Sequence, residues 1–275
     1  MPRSRVALVT GASSGIGAET ALLLEAAGFN VYAAARRVER MRSLADQGIH
    51  VLSMDVTDDS SMTGGVTQII AETGRIDVLV NNAGYGSYGA VEDVPIEEAR
   101  RQFEVNVFGL ARLIQLVVPR MRAQGSGRII NVSSIGGKIY EPLGGWYHAA
   151  KFAVEGLSDS LRIELRPFGI DVVIIEPGPI LTEWNAIARQ NMLENSADTA
   201  YARQARSVAR RLETADSPRT SSGPEVVAKK IVRVATAASP RARYPVGKGA
   251  GTIVRARKVL PDRALDAVIA RAYQH

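Results

Sequence analysis

The stretch VALVTGASSGIGAETALLLEAAG, Val6 to Gly28, reads as a β-branched strand, a turn rich in Gly and Ser, and a helix ending near Gly28. That order is the opening half of a βαβ unit, and the same rhythm recurs outward from it. RVALVT, NVYAAA, HVLSMDV, DVLVNNAG, GRIINVSS and GIDVVIIEPG are short strand-like runs. Longer amphipathic or mixed segments lie between them, notably Ile96 to Gln124 and Trp146 to Phe168. Strands alternating with helices pair in parallel through right-handed crossovers. VVII at 172–175 is apolar at every position, as a strand covered on both faces requires. The expectation is an α/β fold, a doubly wound parallel β-sheet with helices on both faces, in which residues 1–275 form a single domain. Within it, 183–222 reads as a helical insertion or substrate loop, and 223–275 as a helix, a last strand at ARYPVG and a basic terminal helix.

Hydrophobic residues make up 46% of the 275 and charged residues 23%, the balance of a soluble globular chain. Cys is absent, which excludes disulfides, a thiolate nucleophile and Cys-ligated zinc. No His pairs with other ligand types at metal spacing, so no metal site is expected. The start lacks a signal-peptide pattern and no run of 18 apolar residues occurs, which leads to the expectation of a cytoplasmic protein. The net charge of +6 is unevenly placed: residues 1–185 carry 17 Lys and Arg against 21 Asp and Glu, and residues 186–275 carry 17 against 7. The parts are therefore −4 and +10. No nucleic-acid reading motif accompanies the basic region. Its last helix suits either a membrane surface or docking with a solvated Arg face, and docking is favoured.

The glycines at 11, 15 and 17 are spaced Gly-x-x-x-Gly-x-Gly, which departs from the Gly-x-Gly-x-x-Gly fingerprint. Gly permits a tight turn and close backbone approach to a pyrophosphate at a helix N-terminus, although such a turn by itself also suits no ligand. After the second strand comes AAARRVER, with Ala35 near the point where an NAD enzyme places Asp or Glu. Arg36 and Arg37 follow, and two guanidinium groups suit a 2′-phosphate, so NADP(H) is expected in preference to NAD(H). The alternative for that pair is a solvated helix start.

The text resembles the short-chain dehydrogenase/reductase family, whose fold is a Rossmann-type sheet. The resemblance rests on Thr10-Gly11-Ala12-Ser13-Ser14-Gly15-Ile16-Gly17, Asp55-Val56, Asn81-Asn82-Ala83-Gly84, Asn106, Ser134, Tyr147 with Lys151, and Pro177-Gly178. It covers roughly residues 3–185. It implies that Gly11, Ser13, Ser14, Gly15, Ile16 and Gly17 hold the dinucleotide, with Arg36 and Arg37 beyond them. Asp55 and Val56 would flank the adenine, and Asn82, Ala83 and Gly84 would line the adenosine side. Thr182 would meet the nicotinamide end, and Tyr147, Lys151, Pro177, Gly178 and Ile180 would also contact the cofactor. It further implies a homodimer or homotetramer.

Tyr147 and Lys151 are four residues apart and share a helix face, with His148 expected to point away. Reducing a ketone by hydride requires a proton for the nascent alkoxide, best given by a group with a pKa near the working pH. A free Tyr is about three units too weak, a gap of about 4 kcal/mol. A Lys ammonium about 5 Å away would supply roughly 3 kcal/mol of this. By resemblance, Lys151 would also bond the nicotinamide ribose, Ser134 would donate to the substrate oxygen, and Asn106 would hold a relay water. Taken together these residues point to an oxidoreductase interconverting a carbonyl and a secondary alcohol, with a silent NADP(H)-sensing protein as the alternative. Tyr85, Ile135, Ile139, Leu143, Trp184, Ile187 and Met192 are expected to line a pocket for a lipophilic substrate. The text around Tyr147 looks most like members acting on steroids or retinoids.

Overall fold

A computed structural model describes residues 4–273. Seven strands form one parallel sheet: β1 (Val6–Thr10), β2 (Asn30–Ala35), β3 (His50–Ser53), β4 (Val78–Asn81), β5 (Gly127–Val132), β6 (Ile170–Pro177) and β7 (Arg243–Val246). Their spatial order is β3-β2-β1-β4-β5-β6-β7. The chain winds outward from β1 to β3, then returns to the other side of β1 to begin β4. That reversal leaves a crevice at the carboxyl ends of β1 and β4, where open α/β sheets take their ligands.

The helices are α1 (Gly15–Ala26), α2 (Arg42–Ala45), α3 (Asp59–Thr73), α4 (Ile96–Phe103), α5 (Gly109–Gln124), α6 (Gly145–Leu165), α7 (Trp184–Ser196), α8 (Ala202–Ala215), α9 (Pro224–Thr236), α10 (Ala250–Val259) and α11 (Asp262–Tyr273). Because successive strand residues face opposite sides, Val6 and Leu8 join a core with α3, α5 and α6, while Ala7 and Val9 join one with α1 and α9. The central strands are accordingly buried along their length, β1 and β4 completely. A third, smaller core contains Tyr88 and Tyr147 with Met192 of α7 and Val208 of α8. It places the two helices of the 183–222 segment over the crevice.

Two local features refine the sequence reading. Ile96 to Gln124 is not one uninterrupted α-helix, because a π-helical turn at Glu104–Phe108 separates α4 from α5. Such a bulge adds a residue to one turn and re-aims the side chains inside it, here including Asn106. At the other end of the chain, α11 is docked: Tyr140 Oη donates to Asp266 Oδ1 at 2.6 Å and Ser207 Oγ donates to the Tyr273 carbonyl at 2.8 Å. Among the described residues no helix is long and apolar enough to cross a membrane.

Candidate active site

The crevice opens into a cavity of about 820 Å3. Gly11, Ser14, Gly15 and Ile16 form its floor beside β1, and Arg36 and Arg37 stand at the end of β2. Gly15 has φ +54°, a left-handed conformation that strains any side chain, and a Cβ there would lie 3.0 Å from Thr182 Cγ2. Gly17 stands behind the wall. A Cβ on it would come within 2.3 Å of the Gly11 carbonyl oxygen, so its absence lets α1 pack against the turn. Ser14 precedes α1 in extended conformation and makes no side-chain cap, leaving the positive end of the helix dipole at the cavity.

Asn82, Ala83 and Gly84 also line the cavity. Asn82 braces it as well, since its Nδ2 donates to the Thr10 carbonyl at 3.0 Å and the Gly11 carbonyl at 3.3 Å. Pro177, Gly178, Ile180 and Thr182 complete this half from β6 onward. The residues fit a dinucleotide: a cradle that a Cβ would obstruct, an uncapped helix N-terminus, and two guanidinium groups beyond the second strand.

Three further residues of the expected set do not line this cavity. Ser13 lies in the turn outside the cavity wall. Asp55 shapes the start of α3: its Oδ1 accepts from Thr57 N at 2.9 Å and Thr57 Oγ1 at 2.8 Å. Val56 is buried, and its carbonyl oxygen would lie 2.2 Å from a Cβ on Gly109, so its neighbour there is α5. Neither Asp55 nor Val56 lines the cavity.

The chemical half is built on α6, which a buried polar chain fixes to the sheet. Asn81 Nδ2 donates to Asn131 Oδ1 at 2.9 Å, Asn131 Nδ2 donates to Ser158 Oγ at 2.9 Å, and Ser158 Oγ donates to the Val154 carbonyl at 2.6 Å. Tyr147 and Lys151 occupy the first two turns of this helix, both face the cavity, and both are buried. Lys151 Nζ donates to the Val132 carbonyl at 3.0 Å and lies 5.9 Å from the centre of the Tyr147 ring.

Burial decides their ionisation. It pushes the Tyr147 phenol up to about 12, against the hydrogen bond with Ser134 that favours the phenolate. It brings the Lys151 ammonium down to about 8, partly opposed by the negative Glu155. The expected acidification of Tyr147 by Lys151 is not seen in this structure, where desolvation of the phenolate is the leading effect.

Ser134 also lines the cavity, and its Oγ accepts from Gly136 N at 2.9 Å. Asn106 does not reach the cavity wall. Its Oδ1 accepts from Tyr85 N at 3.0 Å and its Nδ2 donates to the Tyr85 carbonyl at 2.8 Å. The side chain clamps the loop after β4, and its amide keeps one further N–H and one further lone pair beyond these two bonds. Gly84 brings it near the reactive pair: a Cβ there would be 2.9 Å from Asn106 Oδ1 and 3.7 Å from Lys151 Nζ.

Tyr85, Ile135, Ile139, Trp184 and Ile187 line the outer half of the cavity. Met192 is fully buried in the third core, and Leu143, at φ +63°, borders a separate shallow recess, so neither lines this cavity as expected. His148 does not point away. It lines the cavity beside Tyr147, with Nε2 accepting from Glu141 N at 3.0 Å, which leaves the Nδ1 proton to face the Gly136 carbonyl at 2.9 Å. Its neutral ring thus ties the loop 136–141 to α6. Tyr88, Glu141, Arg211 and Tyr273 also contribute to the wall, none of them anticipated. Arg211 and Tyr273 come from α8 and α11, and no local pattern marks them. The Tyr147 ring centre is 4.9 Å from that of Trp184 and 5.8 Å from that of Tyr88, giving the phenol an aromatic surround.

Behind α6 lies a second buried group. Glu155 Oε2 meets Lys138 Nζ at 2.7 Å and Arg243 Nε at 3.0 Å, and Glu176 Oε1 lies 3.5 Å from Arg243 Nε. Burial first, and then Glu155, pushes the Glu176 carboxyl up to about 7.

A family model described as short chain dehydrogenase matches residues 5–193. The chain is 36% identical to the probable short-chain type dehydrogenase/reductase VdlC of Helicobacter pylori, over 96% of each sequence. It is likewise 36% identical to the NADPH-dependent 3-dehydrocapnine reductase of Ornithobacterium rhinotracheale, over 96% of this chain and 95% of that one. Among solved structures, a short-chain dehydrogenase from Streptomyces avermitilis superposes with a TM-score of 0.81 at 33% identity, covering 98% of this chain and 95% of the other. With the parallel sheet and the cavity at its crossover point, these likenesses establish that the chain belongs to the short-chain dehydrogenase/reductase family and is an oxidoreductase of that family.

Proposed function

We propose that the protein is an NADPH-dependent reductase of a lipophilic ketone, interconverting it with the secondary alcohol. The observation that carries this reading is the buried Tyr147 and Lys151 pair facing the cavity, with Ser134 beside it. The bound nicotinamide supplies the hydride. Ser134 donates a hydrogen bond to the carbonyl oxygen and positions it. A phenol pushed up to about 12 holds its proton at neutral pH, as the acid of the reducing direction must. Giving that proton to the developing alkoxide leaves a phenolate, which the Lys151 ammonium stabilises.

Arg36 and Arg37, with no acid at the end of β2, support NADP(H) over NAD(H). The relative named an NADPH-dependent reductase agrees with that preference. Ile135, Ile139, Trp184 and Ile187 supply the apolar wall for the substrate. Self-association through α5 and α6 is part of the proposal, since Phe152 and Ile163 stand exposed on α6, with Phe108 just before α5.

The test is Tyr147→Phe, assayed with NADPH and NADH side by side on a panel of ketones and alcohols. Turnover should fall about 10²- to 10⁴-fold while NADPH binds as before. Full turnover by the variant would overturn the proposal.

A further inference from the structure

We infer that Glu183 is a selectivity residue for the cofactor: it holds Arg37 and Arg40 as a built-in competitor for a phosphate on the adenosine ribose, and so narrows the preference for NADPH over NADH. The inference rests on the reading that Arg37 faces that phosphate.

Glu183 and the two arginines come from opposite sides of the crevice. Arg37 and Arg40 follow β2, whereas Glu183 follows β6, and 143 residues separate Arg40 from Glu183 in sequence. Arg40 Nη1 donates to both carboxylate oxygens, at 3.0 and 3.1 Å. Arg37 Nη2 lies 3.8 Å from Oε2. Arg36, Arg37 and Glu183 all line the cavity. The segment carrying Glu183 lies close over the glycine turn, as the 3.0 Å approach of Thr182 Cγ2 to a Cβ position on Gly15 shows. A carboxylate thus bridges the dinucleotide crevice on the arginines available to a second anion.

A carboxylate and a phosphate monoester accept the same forked hydrogen bonds from a guanidinium group. A phosphate arriving at Arg37 must displace Glu183 or remain beside it at the cost of repulsion between anions. A ribose hydroxyl meets no such competitor and can itself donate to a carboxylate. Glu183 therefore acts against NADPH and not against NADH. The three side chains are 42% to 51% exposed, so water and salt screen the pair and the effect is modest.

Calorimetric titration of wild type, Glu183→Gln and Arg37→Ala with NADPH, NADH, 2′,5′-ADP and 5′-AMP tests this without turnover. Glu183→Gln should tighten NADPH and 2′,5′-ADP by about two- to fivefold, leave NADH and 5′-AMP no tighter, and lose much of its effect at high salt. An unchanged NADPH to NADH ratio in a Glu183→Gln protein that melts with wild type overturns the inference. If Arg37→Ala weakens NADPH while Glu183→Gln changes nothing, the cofactor reading stands and this inference alone falls. If Arg37→Ala leaves NADPH binding unchanged, the cofactor reading falls and the inference falls with it.

Discussion

Lys151 Nζ stands 5.9 Å from the Tyr147 ring centre and gives its hydrogen bond to the Val132 carbonyl, so the cation is held beside the phenol by the end of β5. The same burial that brings the two groups together moves them in opposite directions, the phenol upward and the ammonium downward. At neutral pH the phenol therefore keeps its proton, while Lys151, at about 8, remains largely an ammonium beside it.

Replacing Lys151 by Met should alter the pH dependence of stability in a defined window. Lys151 titrates at about 8 in the fold against 10.5 for the free group, so between those values the unfolded chain binds more protons. The Lys151 contribution to wild-type stability therefore rises from pH 8 to 10.5 and is lost as pH falls through that range. Urea unfolding of wild type and Lys151→Met at pH 8 and 10 should show the extra rise in wild type alone; parallel curves would refute the assignment.

Glu176 should behave with the opposite sense. Its carboxyl sits at about 7 against 4.5 unperturbed, so its contribution to stability is full below 4.5 and lost as pH rises through 7. Glu176→Gln removes that loss. Relative to wild type, the variant should gain stability between pH 5 and pH 8, read from urea midpoints. Arg243 and Lys138 keep Glu155 as a partner in the variant.

A methyl group at Gly17 has no room. The Cβ of Gly17→Ala would stand 2.3 Å from the Gly11 oxygen and 2.6 Å from Asn82 Nδ2, and the first of these neighbours is backbone. The variant should lose about 1–3 kcal/mol of stability through overpacking. Because the displaced atoms belong to the cofactor floor, NADPH affinity should fall as well. Denaturant titration and calorimetry measure the two effects separately.

Tyr273 closes the cavity from α11. The guanidinium of Arg211 lies 4.6 Å over its ring, and Arg211 Nη1 donates to the Ala272 carbonyl at 2.9 Å. Tyr273→Ala should raise KM for a lipophilic ketone roughly three- to tenfold, the scale of about 1 kcal/mol of lost apolar contact. NADPH affinity should stay unchanged, since α11 lies on the substrate side. An equal loss of both would show that α11 supports the whole cavity and not the substrate half.

Much of this architecture is legible in local patterns. The six strand-like runs and ARYPVG correspond to β1 through β7, because apolar and β-branched periodicity reports directly on a strand covered from both sides. The Gly-x-x-x-Gly-x-Gly turn is legible for a similar reason: left-handed backbone at Gly11 and Gly15 and close packing at Gly17 are demands met within a few residues. The π turn around Asn106 left no such trace, since side-chain periodicity through Ile96 to Gln124 continues across a single inserted residue. Helix spacing misplaces His148 because it gives only an angle around an axis. It does not say that the loop 136–141 folds back to meet that side of α6.

By itself, the sequence determined the order of strands and helices, the glycine turn, and the placing of Tyr147 and Lys151 on one helical face, all of which depend on residues a turn or two apart. Tertiary structure alone decided which groups share the cavity and how they ionise. Arg211, Tyr273 and Glu183 reach it from segments that only the sheet order brings near. The upward shift of the Tyr147 phenol arises from its burial, with Tyr88 and Trp184 against the ring, and desolvation is a property of the assembled surroundings that no spacing along the chain encodes.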